Sequence, residues 1–190
     1  LSEPATTAVF SSENEVPEGT YYVMYNNQSF EFEQAQDYGT NEELADNIKL
    51  YSEPLVINAG DNSATIQLKH VYAKITFNLK NLEEPSAVTI GIGTEDGYFH
   101  TEGLLENGQM SVSGNEIVVG GAFDNNNWET DFAASILLFP TDLSGCKRHF
   151  FVSVFDGVYE IVKDGKDIQA GYNYNIDIDL GQVTYTEFEA

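Results

Sequence analysis

The alternation of apolar and polar side chains is clearest in LKHVYAKITFNLK, Leu68 to Lys80. Val71, Ala73, Ile75, Phe77 and Leu79 fall on one side at period two, with His70, Tyr72, Lys74, Thr76 and Asn78 on the other. That is the pattern of a half-buried strand. Leu68, Val71, Tyr72, Ile75 and Leu79 also fit a helical stripe. Branched and aromatic side chains crowd the stretch, however, and these suit a pleated surface better than a helix. YNYNIDIDL alternates in the same way, Tyr172, Tyr174, Ile176, Ile178 and Leu180 inward and Asn173, Asn175, Asp177 and Asp179 outward. A slip of one residue would bury the acids, so its register is tightly specified.

Turn signals punctuate these runs. FFVSVFDGVYEIV, residues 150–162, reads as a hairpin turning at Asp156-Gly157, with Val154 opposite Tyr159 and Val152 opposite Ile161. Asp96-Gly97, Gly114-Asn115 and Asp164-Gly165 are further hairpin candidates, because both central residues of a type I′ turn need positive φ. One helix is predicted: Thr40 caps it, Glu43 closes the capping box, Leu44, Ile48 and Tyr51 share a face, and Pro54 ends any continuation. Strand-like runs without βαβ alternation or a fixed-period repeat predict an all-β fold, an antiparallel β-sandwich with one short helix. Residues 1–19 are polar and acidic and read as a mobile arm ahead of a sandwich domain over 20–190. The softest internal stretch, Gly120-Gly121 through Asn127, reads as a loop or as a break near 120–131 between two closely packed halves.

Composition narrows the function classes. A chain of 190 residues, 42% hydrophobic and 13% aromatic, has the apolar area for a substantial core. A chain of this size buries roughly 70% of its unfolded surface. Thirty-one Asp and Glu against eight Lys and Arg leave a formal charge of -23, a field that repels phosphate backbones and anionic lipid heads and disfavours a nucleic-acid partner. Cys146 is the only cysteine, so no internal disulfide is possible, and beside Lys147 and Arg148 it reads as an incidental thiol. No stretch reaches the ~18 apolar residues of a membrane helix. The start at Leu1 reads as a trimmed or mature form, with any export signal or lipid attachment site upstream.

Searches for chemistry return plainer readings. His70, His100 and His149 lack metal-ligand spacing, and His70 reads as a structural histidine on the polar side of its strand. The oxygen-rich run Asp124 to Asp131 lacks the Gly and terminal Glu of an EF-hand loop and reads as a solvated Asx-rich loop. Asp177 and Asp179 are explained by strand alternation rather than by glycosidase chemistry. Ser144-Gly145-Cys146-Lys147 has S-x-x-K spacing but no S-D-N or K-T-G companion, and no nucleophile elbow, P-loop or dinucleotide fingerprint is present. No catalytic residue, metal site or cofactor is therefore assigned, and the chain reads as a non-enzyme. Trp128 and Asn126, with Tyr21, Tyr22, Tyr25 and Tyr38, are candidate glycan contacts, since aromatic faces pack against pyranose rings.

Three segments carry a family resemblance: LKHVYAKITFNL (68–79), ILLFPTDLSG (136–145) and IQAGYNYNIDIDL (168–180). In this order they resemble the fimbrillin-like proteins of Bacteroidetes, the type V pilin superfamily, with its "H-x-x-A-K", "l-x-x-P" and "aG-x-x-Y-x-y-x-i-x-l" strands. The resemblance implies a transthyretin-like sandwich and an outer-membrane lipoprotein precursor at the cell surface. It further implies assembly with other fimbrial subunits or with itself into adhesive fimbriae, and contact with host or bacterial surface receptors or glycans. In the family, cleavage after an arginine removes an N-terminal strand, and a strand from another subunit fills the groove. No Arg or Lys precedes Lys49, and 190 residues is short for the two sandwich domains of polymerising members. A single-domain member, a tip or anchor subunit, or a trimmed form all fit. The candidate donor strand is the tail, through Val183, Tyr185 and Phe188, against a final strand pairing in its own sheet. The alternative function is a non-enzymatic glycan-binding surface lipoprotein.

Overall fold

The computed structural model describes residues 15–25, 29–31, 36, 41–82, 87–125, 130–154 and 157–181. Its first half carries β1 (Gly19–Tyr21), β2 (Met24–Tyr25), β3 (Ser29–Glu31), α1 (Asn41–Asp46), β4 (Leu50–Ser52), β5 (Leu55–Ile57), β6 (Leu68–His70), β7 (Ala73–Lys80) and β8 (Val88–Thr94). The second half carries β9 (Glu102–Glu106), β10 (Gln109–Ser113), β11 (Val118–Phe123), β12 (Phe132–Leu138), β13 (Thr141–Asp142), β14 (Lys147–Val154), β15 (Gly157–Asp164), β16 (Asp167–Ile168) and β17 (Asn173–Asp179). Two sheets, in the orders β11-β8-β14-β15 and β12-β7-β17, form an all-β sandwich around the core.

The alternation in Leu68 to Lys80 places its apolar side as expected. Ala73, Ile75, Phe77 and Leu79 are buried, and Phe77 meets Phe150 of the facing sheet edge to face at 6.0 Å between ring centroids. The run is not one strand, since it breaks at Val71-Tyr72 into β6, which pairs with β4, and β7. The sandwich is also not wholly antiparallel: β17 runs parallel to β7, with Ile176 beside Phe77 and Ile178 beside Leu79. That arrangement lines up the outward residues of the two strands. Asn78 Nδ2 donates to Asp177 Oδ1 at 2.8 Å, Asn81 Nδ2 to Asp179 Oδ1 at 2.6 Å, and Thr76 Oγ1 to Asn173 Oδ1 at 2.9 Å. The acids of YNYNIDIDL are thus one rail of a polar ladder.

The turns differ most from expectation. The β14–β15 hairpin pairs Val152 with Tyr159 and Phe150 with Ile161, and Val154 with Gly157. The offset from the predicted pairing is two residues, one full pleat, so every side chain keeps its face and apolar still meets apolar. Asp96-Gly97 and Gly114-Asn115 are not hairpin turns. Both lie in one long ribbon that folds at Asn107-Gly108, where Glu106 pairs with Gln109 and φ is 50° and 74° at the two turn residues. An Asn-Gly pair with both φ positive is the strongest short hairpin signal, and it was available in the sequence. Residues 95–98 are inserted where the partners across the ribbon, Glu116 and Ile117, are consecutive, and there the ribbon passes from the four-stranded sheet to the β10-β9-β3 sheet. Gly165 follows β15 but makes no hairpin. A Cβ there would sit 1.7 Å from the Leu143 carbonyl oxygen, so this glycine permits close backbone contact.

The helix is shorter than predicted. It spans Asn41–Asp46, and Tyr51 lies on β4 instead of the helical face, because Asn47 begins a turn and the following residues are drawn into pairing with β2 and β6. Thr40 lies outside the described residues. Gly120-Gly121 is not a loop or a break but the middle of β11. A Cβ on Gly121 would fall 1.6 Å from the Gln36 carbonyl oxygen and one on Gly120 2.3 Å from that of Ile90. The first strand, β1, starts at Gly19, and most of the predicted N-terminal arm lies outside the described residues.

Candidate functional site

The two long sides of the sandwich are built differently. On one side β11 lies against β12, and among the described residues Gln36 bridges the two. Its backbone N–H donates to Gly120 O at 2.7 Å. Its amide pairs with Leu137 as a strand would: Nε2 donates to Leu137 O at 2.8 Å and Leu137 N–H donates to Oε1 at 2.8 Å. Gln36 is only 2% exposed, and the inward residues nearby, Val119, Phe123, Ala134 and Ile136, are buried. No sequence signal in the region of Gln36 marked it for this role, because a lone glutamine carries no period.

On the other side β15 and β17 are the outermost strands of their sheets among the described residues. Their inward residues, Tyr159, Ile161, Tyr174 and Ile176, pack on the core but stay half-buried. Tyr174 and Ile176 were expected to be inward, and they are, without full cover. Arg148 lies near Tyr174 on this side, its guanidinium 5.5 Å from the Phe150 ring, and burial lowers its pKa. Lys166 stands over Tyr174 at 4.4 Å from the ring centroid.

A cleft of about 350 Å³ opens on the outer face of the β12-β7-β17 sheet, beside α1. Leu44, Leu137 and Tyr72 form a buried apolar floor. His70, Lys74 and Asn173 stand around it, and Tyr172, expected to face inward, is instead 59% exposed at the rim. Tyr172 is lifted out by the turn before β17, where Gly171 has φ 80°, its N–H donates to Tyr72 O at 2.9 Å, and Tyr172 O accepts from Lys74 N at 2.9 Å. His70 therefore borders a cleft as well as ending a strand. Its side chain is exposed and its backbone pairs with Leu50.

The remaining candidates are dispersed. His149 on β14 bridges its neighbours, with Nδ1 2.6 Å from Glu160 Oε1 and Nε2 3.2 Å from Glu95 Oε1. Ser144, of the S-x-x-K run, donates through both its N–H and its hydroxyl to Asp142, and Cys146 is half-buried. Those hydrogen bonds hold the Asp142 carboxyl below its ordinary pKa. Among the described residues no cluster of His, Cys, Asp and Glu could hold a metal ion, and no helix is long and apolar enough to cross a membrane. Of the predicted glycan contacts, Tyr21, Tyr22 and Tyr25 sit on or between β1 and β2, while Trp128, Asn126 and Tyr38 lie outside the described residues. So do all three donor-strand residues, Val183, Tyr185 and Phe188.

No protein-family model matches the chain, and no curated protein does. Solved structures do match. A protein of Bacteroides ovatus described as a "putative cell adhesion protein" superposes with a TM-score of 0.58 at 17% identity, over 95% of this chain and 72% of that one. A second, of Bacteroides uniformis and described in the same words, gives a TM-score of 0.53 at 16% identity, over 91% of this chain and 66% of that one. At such identities the likeness establishes the shared sandwich, and this chain spans about two thirds to three quarters of their length.

Proposed function

We propose that this chain is a structural or adhesive subunit of a bacterial surface fimbria, exported to the outer membrane as a lipoprotein precursor and assembled by strand donation. The observation that carries the reading is the unequal finish of the sandwich. Among the described residues, Gln36 bridges the outer strands on one long side, whereas the other side ends in two outer strands whose inward side chains are half-buried. A strand laid along β15 or β17 gains a ladder of main-chain hydrogen bonds and covers Tyr159, Ile161, Tyr174 and Ile176 through alternate side chains. Val183 and Tyr185 share one face of an extended segment, with Thr184, Thr186 and Phe188 on the other. Two structural neighbours described as putative cell adhesion proteins and three fimbrillin-like segments support the same reading.

Deleting residues 183–190 tests it. The expected outcome is a cooperatively folded monomer that no longer self-associates in sedimentation or electron microscopy. A truncated chain that unfolds would make the tail part of its own core, and a full-length chain that stays monomeric at high concentration would refute assembly through donation.

A further inference from the structure

We infer that the cleft beside α1 is a binding site for an acidic sugar, with Lys74 taking the carboxylate and the Tyr172 ring taking one face of the pyranose. Three observations converge. The first is charge. Among the described residues, those lining the cleft include two basic side chains, His70 and Lys74, and none that is acidic, in a chain with 31 Asp and Glu. Elsewhere Lys69 is paired with Glu53, Lys147 with Asp164, and Lys166 lies over Tyr174. Lys74 is half-buried at the cleft and has no ion pair among the described residues. A cation drawn over the apolar floor of Leu137 and Tyr72 loses hydration that an anionic ligand restores.

The second is shape. A cleft of about 350 Å³ lies at the small end of ligand sites and suits one or two sugar rings rather than a long chain. The third is the exposed rim. Tyr172 is held out by the Gly171 turn, with the His70 side chain 4.0 Å from where a Cβ on Gly171 would lie, so aromatic ring and imidazole border the same opening. Asn173 accepts from Thr76 and gives one of its two amide N–H groups to Asn175 at 3.3 Å, while Lys74 and His70 are the basic groups placed to meet a carboxylate.

This inference does not rest on assembly, because the cleft lies on the outer sheet face and a monomer would bind as well. The test uses the full chain with D-glucuronic acid and N-acetylneuraminic acid as probes, and glucose and acetate as controls. Binding is read by calorimetry and saturation-transfer NMR. Either acid sugar is expected to bind, with transfer to its ring protons. Lys74→Gln should weaken binding at least about tenfold, the loss of one charge-assisted contact. Tyr172→Ala should weaken it and abolish ring transfer while leaving the melting temperature close to that of the parent. No binding of either acid at about 10 mM overturns the inference. So does acetate or glucose binding as well as the acids, or Lys74→Gln and Tyr172→Ala binding like the parent.

Discussion

Gln36 gives the sharpest prediction, because its side-chain amide pairs with the Leu137 backbone through two hydrogen bonds. In Gln36→Leu the shape is nearly kept, but Leu137, itself 4% exposed, loses partners for both its N–H and its carbonyl. Each buried backbone group left unpaired costs about 1–3 kcal/mol, so the loss of two should be about 2–6 kcal/mol. That is a large part of the 5–15 kcal/mol typical of a folded domain, as an order-of-magnitude comparison (about one third). Gln36→Glu separates hydrogen bonding from shape. The introduced carboxylate still accepts from Leu137 N–H but faces the Leu137 carbonyl with no proton, in a buried place. Both effects raise its folded pKa above the unfolded value of about 4.3. A group with a raised folded pKa stabilises below its unfolded pKa and loses that contribution as pH rises through the folded one. This variant should therefore be weakest at neutral pH and recover toward the parent as pH falls, when the neutral acid can donate to Leu137 O. Urea unfolding of parent and both variants at pH 7 and about pH 5 reads this directly. Gln36→Leu within about 0.5 kcal/mol of the parent, the ordinary surface range, would refute the reasoning. A pH-independent deficit in Gln36→Glu would also refute it.

Other expectations follow from burial, close approach and charge. Phe77→Ala should cost about 3–5 kcal/mol, since Phe77 is fully buried against Phe150. Half-buried Ile176 should cost less, about 1–2 kcal/mol in the monomer, and more once assembled if a donated strand covers it; denaturant curves of monomer and polymer decide this. Gly121→Ala should displace the Gln36 backbone, seen as loss of hydrogen-exchange protection at the Gln36 and Leu137 amides, because the new methyl would collide with a carbonyl oxygen rather than with a movable side chain. Asp142 and Asp164 both have lowered pKa values, through hydrogen bonds from Ser144 and from Lys147. Their contributions are present above the unfolded value of about 3.9 and are lost as pH falls through the folded one, so the deficit of Asp142→Ala should shrink on acidification below about pH 4 in thermal melts.

Much of the molecule was legible in its period-two patterns. Wherever a strand separates core from solvent, as at Ala73 to Leu79, only one face assignment avoids burying polar groups, so neighbouring residues alone specify it. The same logic survived the two-residue shift in the β14–β15 hairpin, because a full pleat leaves the faces unchanged. What local pattern could not determine was partnership. That β17 runs parallel to β7, that Gly120-Gly121 is a strand grazing other backbones, and that Gln36 bridges β11 and β12 all depend on residues far apart in sequence. Glycine reads as a turn until a neighbouring carbonyl is seen where its Cβ would be. Tyr172 continued the inward alternation of its strand, yet the Gly171 turn put it on the rim of a cleft whose other walls come from α1, β6 and β7. A cleft is a property of surfaces brought together, and its charge and shape arise only once chain folding has set those surfaces side by side.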